Sequence, residues 1–219
     1  MEDEEDNIFS GSDDEEAMTA GEVLQKLEEA WMNEALSPEL LMNKSDIIDC
    51  MMEQINEMEN NIQRVKTNDL KIYIHKMELE RIRYLLTSYL RIRIKKIEKY
   101  ATAIMMEDGK RDPDDAKLTD SELQFARERE KNLLELFQNL VLQHMPPNMQ
   151  SLEKDKICSK PNLDEYVFFR VNQDVEGVLV EEETVDNREE VIDLKKGEQH
   201  IMRYKIIRPL AETGAVSLI

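Results

Sequence analysis

The stretch from Asp69 to Ile104 constrains the fold of this 219-residue chain most, because it lacks glycine and proline and its apolar residues recur at helical spacing. Such a helix is on the order of 50 Å long. One apolar face comprises Ile72, Leu79, Ile82, Leu86, Leu90, Ile94, Ile97, Ala101 and Ile104, and a second comprises Leu70, Ile74, Met77, Leu85, Tyr89 and Ile92. A surface helix of a monomer has one apolar stripe. Two stripes predict that this helix is covered by its own chain and by a partner.

Three further helices are predicted around this one. Thr19 and Glu22 have capping-box spacing and open a helix to about Glu34, in which Trp31 is a core or interface anchor. A second helix runs from about Asp46 to Lys66 with a coiled-coil-like seam. A polar loop at 107–117 precedes another capping box, which opens a helix with an inward face of Leu123, Ala126, Leu133, Leu134, Leu136, Phe137, Leu140, Val141 and Met145.

The hydrophobic period changes after Met149. Residues 150–160 have the composition of a linker, and short extended runs follow at 166–171, 177–180, 191–194, 200–207 and 216–219. A hairpin-like turn at 195–198 joins two of these runs, and the terminal run is expected to be a paired strand. The prediction is therefore an α+β protein, mainly helical, with a helical A domain at 19–149 and a small β-rich B domain at 161–219.

Charge and composition narrow the functional classes. The net charge is −19, and nine of the acidic residues lie in the first 16 positions. Residues 1–18 are thus predicted to be a disordered acidic tail, in which Asp6, Ile8 and Phe9 are either incidental or part of a short peptide that docks on a partner. Two distant cysteines and no apolar run of about 20 residues predict a soluble protein of a reducing, intracellular compartment, with no membrane contact.

The sequence offers little for catalysis. It has no glycine-rich phosphate loop and no metal-ligand spacing, and its three histidines are scattered. We therefore predict a protein that is not an enzyme and needs no cofactor. The one functional patch is the basic segment Arg91–Lys99, with Arg81 and Arg83 upstream. Ion pairing with neighbouring helices or subunits is favoured over DNA contact, because these residues spread over more than half of the helix circumference. A free-standing coiled-coil adaptor is a further alternative.

Several segments resemble the Sld-five-type (fourth) subunits of the eukaryotic GINS complex. They are Ala30–Glu34, Ser37–Leu41, Met77–Tyr100, His144–Asn148, Pro161–Phe169, Val191–Tyr204 and Gly214–Ile219. They lie in the same order as in that family and cover most of residues 20–219.

The resemblance implies a nuclear, non-catalytic subunit of a heterotetramer with three other GINS subunits. That tetramer joins a RecJ-like replication factor and the minichromosome-maintenance (MCM) hexamer in the replicative DNA helicase, for initiation and elongation, so that DNA is contacted only indirectly. It also implies that the acidic tail can dock on a replisome hub protein. The expected subunit-interface residues are Trp31, Ile74, Met77, Leu85, Tyr89, Ile92, Tyr166, Phe168, Val216, Leu218 and Ile219.

Overall fold

The computed structural model describes residues 19–64, 70–111, 116–151, 158–181 and 190–219. Four helices come first, at Ala20–Leu36 (α1), Ser45–Arg64 (α2), Leu70–Asp108 (α3) and Asp120–Leu140 (α4). Two single 3-10 turns follow at Leu142–His144 and Pro147–Met149. The C-terminal part contains Tyr166–Val171 (β1), Val175–Glu181 (β2), Glu190–Leu194 (β3), Gln199–Arg203 (β4), Tyr204–Glu212 (α5) and Val216–Leu218 (β5). Helices followed by a small antiparallel sheet region confirm the predicted α+β class.

Both predicted capping boxes are present. The Thr19 hydroxyl accepts from the Glu22 amide at 3.4 Å, and the Glu22 carboxylate accepts from the Thr19 amide at 2.9 Å. Thr119 and Glu122 make the same exchange at 3.3 and 3.1 Å. Each box satisfies two backbone amides that the first turn of a helix would leave without a partner. These contacts explain why α1 and α4 begin where the spacing predicts.

Helix α3 is longer than predicted. It continues through Asp108, into the segment that the composition assigned to a loop at 107–117. Tyr100 has non-helical backbone angles (φ −121°, ψ 20°), so the helix is kinked there. The kink has no glycine or proline beside it, and the sequence pattern therefore gives no sign of it.

The described chain divides into two compact units. Unit 1 contains the described residues up to Trp31 together with Lys44–Tyr89, and unit 2 contains Met32–Asn43 together with Leu90–Ile219. The division crosses α1 and α3, so it does not separate helices from strands. The predicted domain boundaries at 149 and 161 stay a prediction.

In unit 1, α1, α2 and the first half of α3 bury one apolar set. Glu28 on α1 and Glu59 on α2 form ion pairs with Arg81 and Arg83 of α3. The Trp31 indole donates to the Ser88 hydroxyl at 2.9 Å. The buried side chains are Val23, Leu27, Met51, Ile55, Ile72, Leu79, Ile82, Leu85, Leu86 and Tyr89.

Unit 2 has two apolar clusters. The first joins the second half of α3 to the start of α4 and comprises Leu40, Ile97, Ala101, Ile104, Leu118 and Ala126. The second fills the C-terminal module, which we define as Tyr166–Ile219. It comprises Val167, Phe169, Val171, Leu194, Met202, Tyr204, Ile207, Val216 and Leu218. Leu41, from the α1–α2 connection, packs against the second cluster.

The strands form two small antiparallel sheets, one in the order β4-β1-β5 and one of β2 with β3. The turn at Lys195–Glu198 is present, with Gly197 at φ 90°, but it is not a hairpin, because β3 and β4 belong to different sheets. The predicted pairing of the terminal run is confirmed: Leu218 lies opposite Phe169 and Val216 opposite Val171.

The predicted strand at 200–207 is wrong in its second half. Pairing with β1 ends where Arg203 lies opposite Tyr166, the first residue of β1, and the Tyr204 amide then donates to the Glu165 carbonyl at 2.9 Å. Residues 204–212 form helix α5 instead. Four apolar residues at helical spacing bury this helix against the module core: Tyr204, Ile207, Leu210 and Ala211.

Candidate interaction surfaces

The centre of the basic segment is an internal ion pair. Arg93 on α3 is 1% exposed, and its guanidinium donates to both carboxylate oxygens of Glu122 at 2.7 and 2.8 Å. It also donates to Glu34 at 3.4 Å and to the carbonyls of Leu41 and Lys117 at 3.0 and 2.8 Å. A guanidinium with its donors committed in this way has none to offer to a phosphate.

Further ion pairs extend from Arg93. The Lys96 ammonium donates to Glu34 at 2.8 Å, and the Lys117 ammonium donates to Glu39 at 3.0 Å. Arg208, on α5, lies 2.9 Å from Glu39 and donates to Glu107 at 2.6 Å. We call this set the ion network; its members are Glu34, Glu39, Arg93, Lys96, Glu107, Lys117, Glu122 and Arg208. Four carboxylates match four cations, so the ion network is neutral.

Burial and neighbouring charges act in opposite directions on the pKa values of Lys96 and Glu107 and in the same direction on that of Tyr204. Burial lowers the pKa of Lys96, and the neighbouring carboxylate of Glu34 only partly opposes this. Burial alone would raise the pKa of Glu107, but the hydrogen bond from Arg208 and the charge of Lys117 outweigh it and lower that pKa. Burial also raises the pKa of Tyr204, whose hydroxyl lies 3.3 Å from the Ser37 hydroxyl. The Glu39 charge adds to that shift.

The other cations of the basic region lie at the surface. Arg91, Lys95 and Lys99 are exposed and recur every four residues, so they share one side of α3. Arg81 and Arg83 form surface ion pairs with Glu28 and Glu59. Ion pairing, the favoured interpretation of the sequence, thus accounts for Arg81, Arg83, Arg93 and Lys96. A DNA contact through this segment is left with three cations.

Four of the expected interface residues are buried within the chain itself. Leu85 and Tyr89 are 7% and 1% exposed, so the chain itself covers this part of the second face of α3. Val216 and Leu218 point into the module core, because successive side chains on a strand alternate between its faces. Side chains covered by their own chain present no surface to a partner.

The other expected interface residues that the structure describes have side chains that are accessible to solvent. Met77 is 74% exposed, Tyr166 is 63% exposed, and Ile74, Phe168 and Ile219 are exposed as well. Trp31 and Ile92 are half-buried. Exposed apolar side chains of this size are typical of surfaces that a partner covers. Asp6, Ile8 and Phe9 lie outside the described residues.

An apolar surface on α4 was missed by sequence reasoning. Of the side chains predicted to face inward, Ala126 is buried, whereas the C-terminal half of the helix is open to solvent, with Leu140 65% exposed. We call its exposed members the α4 stripe: Leu133, Leu136, Phe137, Leu140 and Val141. The helical spacing was visible in the sequence, but spacing does not say whether the chain or a partner covers a face.

The described residues show no metal site and one small cavity of note. No group of three or more histidine, cysteine, aspartate or glutamate side chains among them could hold a metal ion. A cavity of about 150 Å³ lies beside the α3 kink, lined by Tyr100, Leu133, Phe137 and Cys158 among others. Binding sites for drug-sized ligands are about 300 to 1,000 Å³. Among the same residues, no helix combines the length and apolarity that crossing a bilayer requires.

Comparisons with known proteins cover both the helices and the C-terminal module. The model of the GINS complex protein helical bundle domain matches residues 48–141. The model of the DNA replication complex GINS protein SLD5 C-terminus matches residues 161–219.

Relatives named DNA replication complex GINS protein SLD5 match along almost the whole chain. The Xenopus laevis protein is 48% identical over 221 residues, which cover 100% of both chains. The human protein is 47% identical over 210 residues, 95% of this chain and 94% of its own. The Arabidopsis thaliana protein is 31% identical over 219 residues, 95% of this chain and 96% of its own. With both family models and full-length relatives in agreement, the chain belongs to the SLD5 family of DNA replication complex GINS proteins.

Proposed function

We propose that this chain is a non-catalytic structural subunit of a heterotetrameric GINS complex in the nucleus, assembled with three other GINS subunits. The complex joins an MCM hexamer and a RecJ-like factor in the replicative helicase, and the chain contributes interface area. Support comes from the relatives, which carry the name of a DNA replication complex protein, and from the resemblance to the Sld-five-type subunits.

The observation that carries this proposal is the amount of apolar surface left open on two helices. One surface is at the start of α3 and is called here the α3 stripe: Leu70, Tyr73, Ile74, Met77 and Tyr84. The other is the α4 stripe. Monomeric soluble proteins rarely expose contiguous apolar patches of more than a few hundred Å², and larger ones mark interaction sites. Amphipathic helices from other subunits are the natural cover for such stripes.

Two alternatives retain some support. Arg91, Lys95 and Lys99 remain available for a phosphate backbone, but a net charge of −19 opposes DNA binding outside a small basic surface. A coiled-coil adaptor would use the α2 seam. Met51 and Ile55 of that seam are already buried within unit 1, which leaves little of it for a partner.

The test is co-purification with the other three GINS subunits after co-expression. Ile74→Asp and, separately, Leu136→Asp should each lower recovery of the tetramer at least tenfold, because each places a charge in a desolvated interface. His75→Asp and Gln138→Asp are matched controls, since each adds the same charge one or two residues away on a different helix face. Both controls should assemble normally.

The outcomes separate the parts of the proposal. Failure of the wild-type chain to assemble would refute the subunit role itself. Normal assembly of Ile74→Asp and Leu136→Asp would refute the role of the two stripes alone. For the DNA alternative, Arg91→Glu with Lys95→Glu should reduce DNA retention by the assembled complex while tetramer recovery is unchanged.

A further inference from the structure

The α3 stripe lies on the same side of α3 as two residues that α1 contacts. Arg81 and Ser88, which contact Glu28 and Trp31 of α1, stand on the same face of α3 as Leu70, Ile74 and Met77. Their positions alternate in steps of four and three, which keeps them in one line along a helix. Helix α1 begins at Ala20. Leu70 and Met77, on the same line of α3, are exposed.

The direction of α1 shows where its first residue lies relative to α3. From Glu28 to Trp31 on α1, the contacts on α3 advance from Arg81 to Ser88, so the two helices run the same way. Ala20 lies eight residues before Glu28, or about 12 Å along α1, and this places it at the level of Tyr73 on α3. The first residue of α1 therefore lies beside the exposed start of α3.

The segment that precedes α1 in the sequence is complementary to this surface. The first eight residues of α3 include Lys71, His75 and Lys76 and no carboxylate, and its first turn has no acidic residue to balance the positive end of the helix dipole. Residues 1–18 contribute nine carboxylates and the apolar pair Ile8 and Phe9. The chain between Phe9 and Ala20 can span up to about 35 Å, ample for a stripe that extends about 10 Å from Leu70 to Met77.

We infer that the N-terminal segment 1–18 docks on the α3 stripe of its own chain, with Ile8 and Phe9 against Leu70, Ile74 and Met77 and its carboxylates beside the lysines. The free chain in this way covers apolar surface that is otherwise open to solvent. The interaction is intramolecular, so weak contacts suffice, because a tether of this length gives an effective concentration in the millimolar range.

Site-specific photocrosslinking of the purified full-length chain tests this inference. Phe9 is replaced by p-benzoylphenylalanine, and crosslinked peptides are mapped by mass spectrometry at low micromolar concentration. Most crosslinks should fall on residues 70–84 of the same chain. Ile74→Asp should lower their yield at least fivefold while it leaves Met77 in place as a reactive target. Gln138→Asp, which adds the same charge on α4, should leave the yield within twofold of the wild type, and 0.5 M NaCl should lower it two- to threefold.

Three results would overturn the inference. They are crosslinks spread over the whole chain, crosslinks to a second copy that rise with protein concentration, and a yield on residues 70–84 that Ile74→Asp does not change. The measurement uses the chain alone, so its outcome is independent of whether the other GINS subunits bind.

Discussion

The two halves of α3 use similar sequences in opposite ways. The first half, Leu70–Tyr89, places Arg81 and Arg83 in surface ion pairs and leaves its apolar stripe open. The second half, Leu90–Asp108, buries Arg93 and engages Lys96 with carboxylates from other parts of unit 2. The difference lies in where carboxylates are available. Only the second half meets Glu34 and Glu122, which are largely buried themselves.

This difference has energetic consequences. A buried ion pair contributes little net stability relative to apolar residues, but removal of one partner leaves an uncompensated charge and costs about 3 to 5 kcal/mol. A surface pair is worth about 0 to 1 kcal/mol. Single substitutions in the second half of α3 should therefore mainly lower the stability of the fold. Single substitutions in the first half should mainly weaken association with partners.

The largest effect is expected at Arg93. Arg93→Leu should lower the free energy of unfolding by about 3 to 5 kcal/mol, since in this buried site Glu122 loses the cation it is paired with and Glu34 keeps Lys96 but loses Arg93. Urea denaturation of the full chain is the measurement. Arg91→Leu, two residues away and exposed, is the control and should change stability by less than about 0.5 kcal/mol. Equal effects of the two substitutions would show that burial does not distinguish Arg93 from the exposed cation Arg91.

A smaller, pH-dependent effect is expected at Glu107, in the last turn of α3. Its pKa is lowered in the folded chain, so its stabilising contribution is complete above the ordinary value of 4.5 and is lost as pH falls through the lowered value. Glu107→Gln should destabilise at pH 7, and the difference from wild type should shrink towards pH 3. Urea midpoints at the two pH values provide the measurement. A difference that stays constant with pH would show that the Glu107 charge does not matter.

The smallest effect is expected at Arg81, in the first half. Arg81→Met removes exposed pairs with Glu28 and Glu78 but keeps the aliphatic stem, so stability should fall by no more than about 1 kcal/mol. Thermal unfolding followed by circular dichroism measures the change. A loss as large as that of Arg93→Leu would mean that surface and buried cations contribute alike.

Local signals predicted much of this fold correctly. Thr19 and Thr119 are followed three residues later by glutamate, and both open helices, because a capping box is complete within four residues. The short apolar run Tyr166–Val171 predicted β1. These features depend on residues that are close together in the chain, so they can be recognised from the sequence.

The errors concern contacts between distant residues. The sequence predicts a strand that includes Tyr204, but β4 ends at Arg203 because its partner strand β1 begins at Tyr166. The end of β4 is therefore set by a segment that is distant in sequence. The sequence predicts that a partner covers Leu85 and Tyr89 and that the α4 stripe faces inward, whereas the chain itself buries the first two and leaves the α4 stripe exposed. Both sets of residues have helical spacing. Spacing identifies an apolar face, whereas its cover depends on the arrangement of the other helices. Arg93 was placed in the basic segment, but nothing in its neighbours marks it as the buried member.

The ion network also imposes an order on synthesis. Glu39 is made early, whereas its partner Arg208 lies near the end of the chain and, at about 5 to 20 residues per second, emerges on the order of ten seconds or more later. Until Arg208 emerges, the Glu39 carboxylate has Lys117 as its ion-pair partner in the ion network, and the helix α5 completes the network last. Nascent chains truncated before α5 lack the Arg208 pairs and are expected to be more readily degraded by proteases than the longer chain.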